Sequence, residues 1–140
     1  MLPSRIIKVV IAATLLSSCS AKVEYEDISQ VPAYRSLVGR ELSSPSDLVL
    51  HAITLDRNYA KRIDQCSITQ PPGFGGPEVV VRSVLPAGTI FHVRGIRRCK
   101  NCLFDKRIEL LVSSESATAC GTAPIEIPFD TLGELVLLKP

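Results

Sequence analysis

The sequence predicts an all-β domain, a small antiparallel barrel or sandwich, with an SH3-like barrel as the nearest architecture. Short runs rich in Val and Ile recur between punctuation supplied by 10 Pro and 8 Gly in 140 residues, the pattern of many short strands. Helical periodicity is confined to two stretches of a single turn each, 56–62 and 129–133. Hydrophobic residues at 46% and charged residues at 21% describe a chain that can bury a core, and so exclude disorder throughout.

The strands follow in order from alternation. Asp47 to Leu55 sets Val49, His51, Ile53 and Leu55 on one face and Leu48, Leu50, Ala52 and Thr54 on the other. Arg62 to Thr69 has Ile63 and Ile68 as its apolar members, and Glu78 to Val84 contains three consecutive valines. Thr89 to Ile96 places Phe91 and Val93 opposite Ile90 and His92. Arg107 to Val112 turns Ile108, Leu110 and Val112 inward and Arg107 and Glu109 outward. Ile125 to Ile127 and Glu134 to Leu138 complete the set. β-Branched residues dominate these runs and suit a pleated, half-buried surface.

The N-terminus reads differently. Residues 1–18 carry Arg5 and Lys8 and no acid, followed by an apolar run from Ile6 to Leu16 broken only by Lys8 and Thr14. A bilayer core needs about 20 such residues, so the run is too short to span one and fits the h-region of a signal peptide. It ends in Leu16-Ser17-Ser18-Cys19, which resembles the lipobox of bacterial lipoprotein precursors. The resemblance covers only residues 1–19. It implies cleavage after Ser18, a diacylglycerol thioether on Cys19 and acylation of the new amino group. Ser20 is not the Asp that retains such proteins at the inner membrane, so the implied address is the periplasmic leaflet of a Gram-negative outer membrane. Residues 19–31 then read as a lipidated tether, a flexible spacer ending near Pro32, and residues 32–140 as one β-rich periplasmic domain.

Cleavage alters the charge argument. Without Arg5 and Lys8 the 16 basic residues become 14, equal to the 14 acids, so the precursor's excess of +2 carries no attraction for nucleic acid. The absence of Trp and an aromatic content of 5% also leave few platforms for base stacking.

Cys66, Cys99, Cys102 and Cys120 remain for the domain, an even number suited to disulfides in an oxidising compartment. Of the three possible pairings, Cys99–Cys102 across a tight turn with Cys66–Cys120 is favoured over Cys66–Cys99 with Cys102–Cys120. Asn101 in the turn tolerates left-handed backbone. Thiol exchange through Cys99 and Cys102 would require the first Cys at a helix N-terminus, whereas this motif lies between two strands. A zinc ribbon would require a second CxxC. No metal site or cofactor is implied.

Two surface features are candidate partner contacts. Arg94, Arg97, Arg98, Lys100, Lys106 and Arg107 cluster against the single acid Asp105, either as a solvated hairpin tip or as a docking patch. Phe74 sits in Gln70-Pro71-Pro72-Gly73-Phe74-Gly75-Gly76-Pro77, a Pro/Gly loop without the Lys-Ser/Thr sequel of a phosphate cradle. Such a loop can hold Phe74 as an exposed anchor. His51 and His92 on alternating strands read as structural, and no nucleophile, base or carboxylate pair is evident. The expected function is therefore non-catalytic: an outer-membrane lipoprotein that binds an envelope protein or supports envelope assembly. Its alternative is a periplasmic inhibitor of a cell-wall hydrolase, with thiol exchange as the third reading.

Overall fold

The computed structural model describes residues 22–102 and 107–137. The signal segment 1–18, the lipobox with Cys19, and Lys106 in the basic cluster lie outside the described residues. Among the described residues nine strands form one sheet: β1 (Tyr25–Asp27), β2 (Glu41–Ser43), β3 (Leu48–Ile53), β4 (Gln65–Thr69), β5 (Val79–Leu85), β6 (Ile90–Cys99), β7 (Ile108–Ser113), β8 (Ile125–Pro128) and β9 (Val136–Leu137). Their order is β5-β3-β4-β8-β7-β6-β2-β9, with β1 added to β6.

The all-β class holds, but the expected closed antiparallel barrel does not. Among the described residues no pairing joins β5 to β9, so the sheet is open, and β4 runs parallel to β8. At the other end of the order from β5, β9 pairs with β2 through Leu137 and Val136. The sheet nevertheless curls. Leu48, Leu50 and Ala52 of β3, Ile68 of β4, Ile127 of β8, Leu110 of β7, Phe91, Val93 and Ile96 of β6 and Leu42 of β2 share one buried cluster. A flat sheet cannot bring side chains from such separated strands together.

The β3 faces are as alternation predicts, Leu48, Leu50 and Ala52 being inward. In β6 the simple alternation fails. A β-bulge between Val93 and Gly95 adds one residue, so the inward positions pass from Phe91 and Val93 to Ile96. Arg97 is thereby turned to the outer face. Gly95 at the bulge sits against Ser29, whose hydroxyl would lie 3.2 Å from an added Cβ. The Val79–Val81 run is not core: β5 is the sheet's free edge, and Val81 is 38% exposed.

The sequence reading misses β1 and β2. The stretch expected as a spacer is partly folded: Tyr25–Asp27 pairs with Cys99–Arg97, and Ile28 is buried in the core. The domain therefore begins well before Pro32. Beyond β1, Tyr34 packs edge-on against Phe129, with ring centroids 5.5 Å apart.

The cysteines join as Cys66–Cys120 and Cys99–Cys102. The first ties β4 to the 3-10 turn Thr118–Cys120 across a separation of 54 residues. Closing a loop of that length restricts the unfolded chain by roughly 4 kcal/mol, a large share of a small domain's stability. Replacing Cys66 and Cys120 together by Ala should lower unfolding free energy by about 3–4 kcal/mol, read as an earlier urea midpoint under non-reducing conditions; an unchanged midpoint would contradict this account.

Candidate functional site

The register lines up a polar row on the outer face. His51 of β3 pairs with Ser67 of β4, and Ser67 with Glu126 of β8. Glu109 of β7 pairs with Arg97 of β6, beside which Tyr25 of β1 lies opposite Cys99. His51, Ser67, Glu126, Glu109 and Arg97 each adjoin a core residue along the strand, so the pleat itself directs them outward.

At one end of the row, the Pro/Gly loop folds back onto the sheet. Phe74 stacks on His51, centroids 3.9 Å apart and planes 13° from parallel. The Phe74 N–H donates to His51 Nε2 at 3.1 Å, while His51 Nδ1 lies 3.4 Å from the Ser67 carbonyl. These contacts select the neutral tautomer with its proton on Nδ1, because a protonated Nε2 would confront another donor. Burial lowers the His51 pKa. Gly73 has φ of +76°, and a Cβ there would come within 2.5 Å of His51 Nε2, so both backbone conformation and space demand glycine. Arg82 donates to the Pro72 carbonyl. Phe74 is thus pinned to the domain, not projected from it.

At the other end, Arg97 Nε donates to Glu109 Oε2 at 2.8 Å and Nη2 to Glu126 Oε2 at 2.9 Å. Its guanidinium lies 3.7 Å from the centroid of the Tyr25 ring. Glu109 and Glu126, both buried, form a carboxylate pair that their 17-residue separation in the sequence conceals. Burial, then hydrogen bonding and repulsion from Glu109, raise Glu126 from an ordinary 4.5 to about 7. One proton shared beneath one guanidinium makes the charge affordable in this position. With Arg97 on both carboxylates and both His51 nitrogens engaged, the row is built to bury charge.

Between these ends lies a trough of about 620 Å³, lined by Lys22, Val23, Tyr25, Ile53, Leu55, Arg57, Gln65, Ser67, Phe74, Arg107 and Glu126. Of the polar row, Tyr25, Ser67 and Glu126 line it, and its rim combines apolar side chains with Lys22, Arg57 and Arg107. The rim at Arg57 is shaped by an Asx turn in which Asn58 N–H donates to Asp56 Oδ1 at 2.7 Å.

The opposite rim depends on the CxxC turn. Asn101 Oδ1 accepts from Glu24 N–H at 2.8 Å, and its Nδ2 donates to the Lys22 carbonyl at 2.9 Å. Lys100 N–H donates to the Glu24 carbonyl at 2.9 Å. The Cys99–Cys102 bridge closes the turn that carries Asn101, so the motif grips the incoming chain from Lys22 onward.

The predicted basic patch is not a set of free cations. Arg97 is consumed internally, Arg98 pairs with Glu26 at 3.0 Å, and Lys100 lies 3.9 Å from Glu24. Arg94 Nε donates to Ser113 Oγ at 2.8 Å. The acids that match Arg97, Arg98 and Lys100 come from β7, β8, β1 and the residue preceding β1, so for these three the asymmetry along the chain disappears in space. His92 faces Glu41 at 3.2 Å. Of the candidate contacts, Phe74 and Arg107 line the trough, and Arg97 reaches it through Glu126. Among the described residues no cluster of His, Cys, Asp and Glu is arranged to hold a metal ion.

Two proton equilibria oppose each other here. Because Glu126 holds its proton to a higher pH when folded, its contribution is full below the ordinary 4.5 and is lost as pH rises through about 7. His51 behaves oppositely: its contribution is present above the ordinary 6.5 and is lost as pH falls below it. Glu126→Gln keeps an amide donor toward Glu109 and cannot ionise, so its stability relative to wild type should increase between about pH 5 and about pH 8. Denaturant midpoints across that range check it, and a parallel pair of profiles would contradict it. Asn101→Ala should loosen Lys22–Glu24 without unfolding the sheet, seen as faster amide exchange at Glu24 and Lys100 with an unchanged exchange rate at Leu110.

In comparisons with protein-family models, curated proteins and solved structures, no match to this chain is found.

Proposed function

We propose that the chain is a bacterial lipoprotein precursor whose mature form is anchored through Cys19 to the periplasmic leaflet of the outer membrane. Its domain acts there as a binding or envelope-assembly module and performs no bond chemistry. The observation that carries this reading is Leu16-Ser17-Ser18-Cys19 after a basic and then apolar segment. Cys66–Cys120 and Cys99–Cys102 support it, since such bridges persist in an oxidising space. The mechanism is anchoring plus presentation of a rigid surface, for which the trough and Phe74 are the candidate contacts and an envelope component the partner.

The alternatives have less support. A hydrolase inhibitor working through Phe74 needs a projecting plug, whereas this ring lies flat on His51. Thiol exchange needs an accessible first cysteine, whereas Cys99 is fully buried at the end of β6.

Intact-mass measurement of native protein should find residues 1–18 removed and a fatty-acyl adduct on residue 19. Cys19→Ser should move the protein from the membrane pellet to the soluble fraction; a mature, membrane-bound protein without acyl mass would overturn the anchor.

A further inference from the structure

We propose that the trough face is a membrane-docking surface, lying against the anionic phospholipid of the bilayer that the chain's own anchor enters. The inference rests on the Cys19 anchor and assigns the partner of the trough that the reading above leaves general.

Reach is the first argument. The domain grips the chain at Lys22 and Glu24 through Asn101, and Lys22 and Val23 themselves line the trough. Three residue steps separate Lys22 from Cys19 and extend at most about 10 Å. A long spacer would leave the domain free to present any face. This short one holds the Lys22 rim close to the lipid, at a distance comparable to the Debye length of about 8 Å at physiological ionic strength.

Charge is the second. Lys22, Arg57 and Arg107 are exposed on the rim, and the described residues supply no ion-pair partner to any of them. Elsewhere Arg62, Arg97, Arg98 and Lys100 are matched by acids. Arg35, Lys61, Arg82 and Arg94 also lack an acid partner among the described residues but do not line the trough. What marks the rim is three such cations around one trough. The acid in the trough, Glu126, is buried and bonded to Arg97, so it does not cancel the rim. Anionic headgroups complement unpaired basic side chains near a membrane surface.

The third is the position of exposed apolar groups. Val23 is 52% exposed, Leu55 65% and Phe74 36%, all on the trough, and Tyr59, 51% exposed, follows Arg57 on the same loop. Tyr59 is held at φ 55°, a left-handed conformation costly for a bulky residue. Aliphatic and aromatic side chains interspersed with cations are the composition of an interfacial surface.

The test exploits the absence of Trp from the sequence. Leu55→Trp places a sole indole on the rim; Val23→Trp is a second reporter, and Ile90→Trp, exposed at the start of β6 and not on the trough, is the control. The lipidated full chain is reconstituted into phosphatidylcholine vesicles with and without phosphatidylglycerol, and quenching by lipids brominated in the acyl chains is measured. Both rim reporters should shift to the blue and be quenched on phosphatidylglycerol vesicles. Ile90→Trp should not be, and combining Lys22→Gln, Arg57→Gln and Arg107→Gln should abolish the effect. Rim quenching no greater than that of Ile90→Trp, or equal with and without phosphatidylglycerol, would overturn the proposal even where intact mass confirms the acyl anchor. If intact mass shows no acyl group, the anchor reading fails by itself, and rim quenching on the same anionic vesicles still decides the docking surface.

Discussion

A single guanidinium under a tyrosine ring links the side chains of four strands on the outer face. Arg97 bonds Glu109 of β7 and Glu126 of β8, and Tyr25 of β1 covers it. Removing the cation would leave two buried carboxylates facing each other, a loss on the order of 3–5 kcal/mol for a broken buried pair. The cluster therefore constrains more than stability. It fixes where β1 lies along β6, and with β1 the place where the N-terminal chain enters the domain.

That entry point converts a small covalent feature into a spatial one. A CxxC motif usually invites a redox or metal interpretation, because two sulfurs at that spacing suit both. Here Cys99 closes the end of a strand, and the bridge to Cys102 confines a turn whose Asn101 side chain holds the backbone of residues 22 and 24 at both ends of its amide. The motif's chemistry is mechanical. It fixes where the chain enters the folded sheet, at residues 22–24, and on the proposed reading of Cys19 that entry point sets which face the domain turns toward its anchor.

Much of the sheet was legible because β3, β4, β6 and β7 each carry several alternating apolar residues. Leu48, Leu50 and Ala52 could hardly be placed anywhere but inward. β1 and β2 were not legible: three residues give too little periodicity, and their pairing partners lie some fifty or more positions away. The β6 bulge was hidden for a related reason, since Phe91, Val93 and Ile96 look like one strand until the parity change is noticed. Nor could the sequence reveal that Arg97 belongs with Glu109 and Glu126. The basic residues looked like an unbalanced patch because their counterions arrive from three other strands, whereas Gly73 and Phe74 were visible as a shaped loop but not as the cover of His51.

The polar row holds two groups whose protonation has the same physical origin and opposite sign: Glu126, which lines the trough, and His51, which lies beneath Phe74. Burial favours neutral forms, so it removes the proton from His51 Nε2 and keeps one on Glu126. The uncharged histidine can then accept the Phe74 N–H, and the protonated pair can share Arg97 without leaving a second uncompensated negative charge. A neutral floor between these ends leaves the rim cations Lys22, Arg57 and Arg107 as the charges the trough presents outward. Thus the energetic demands of burying the row and the electrostatic character of the open face are not independent: a proton held on Glu126 inside the sheet leaves the surface above it more positive.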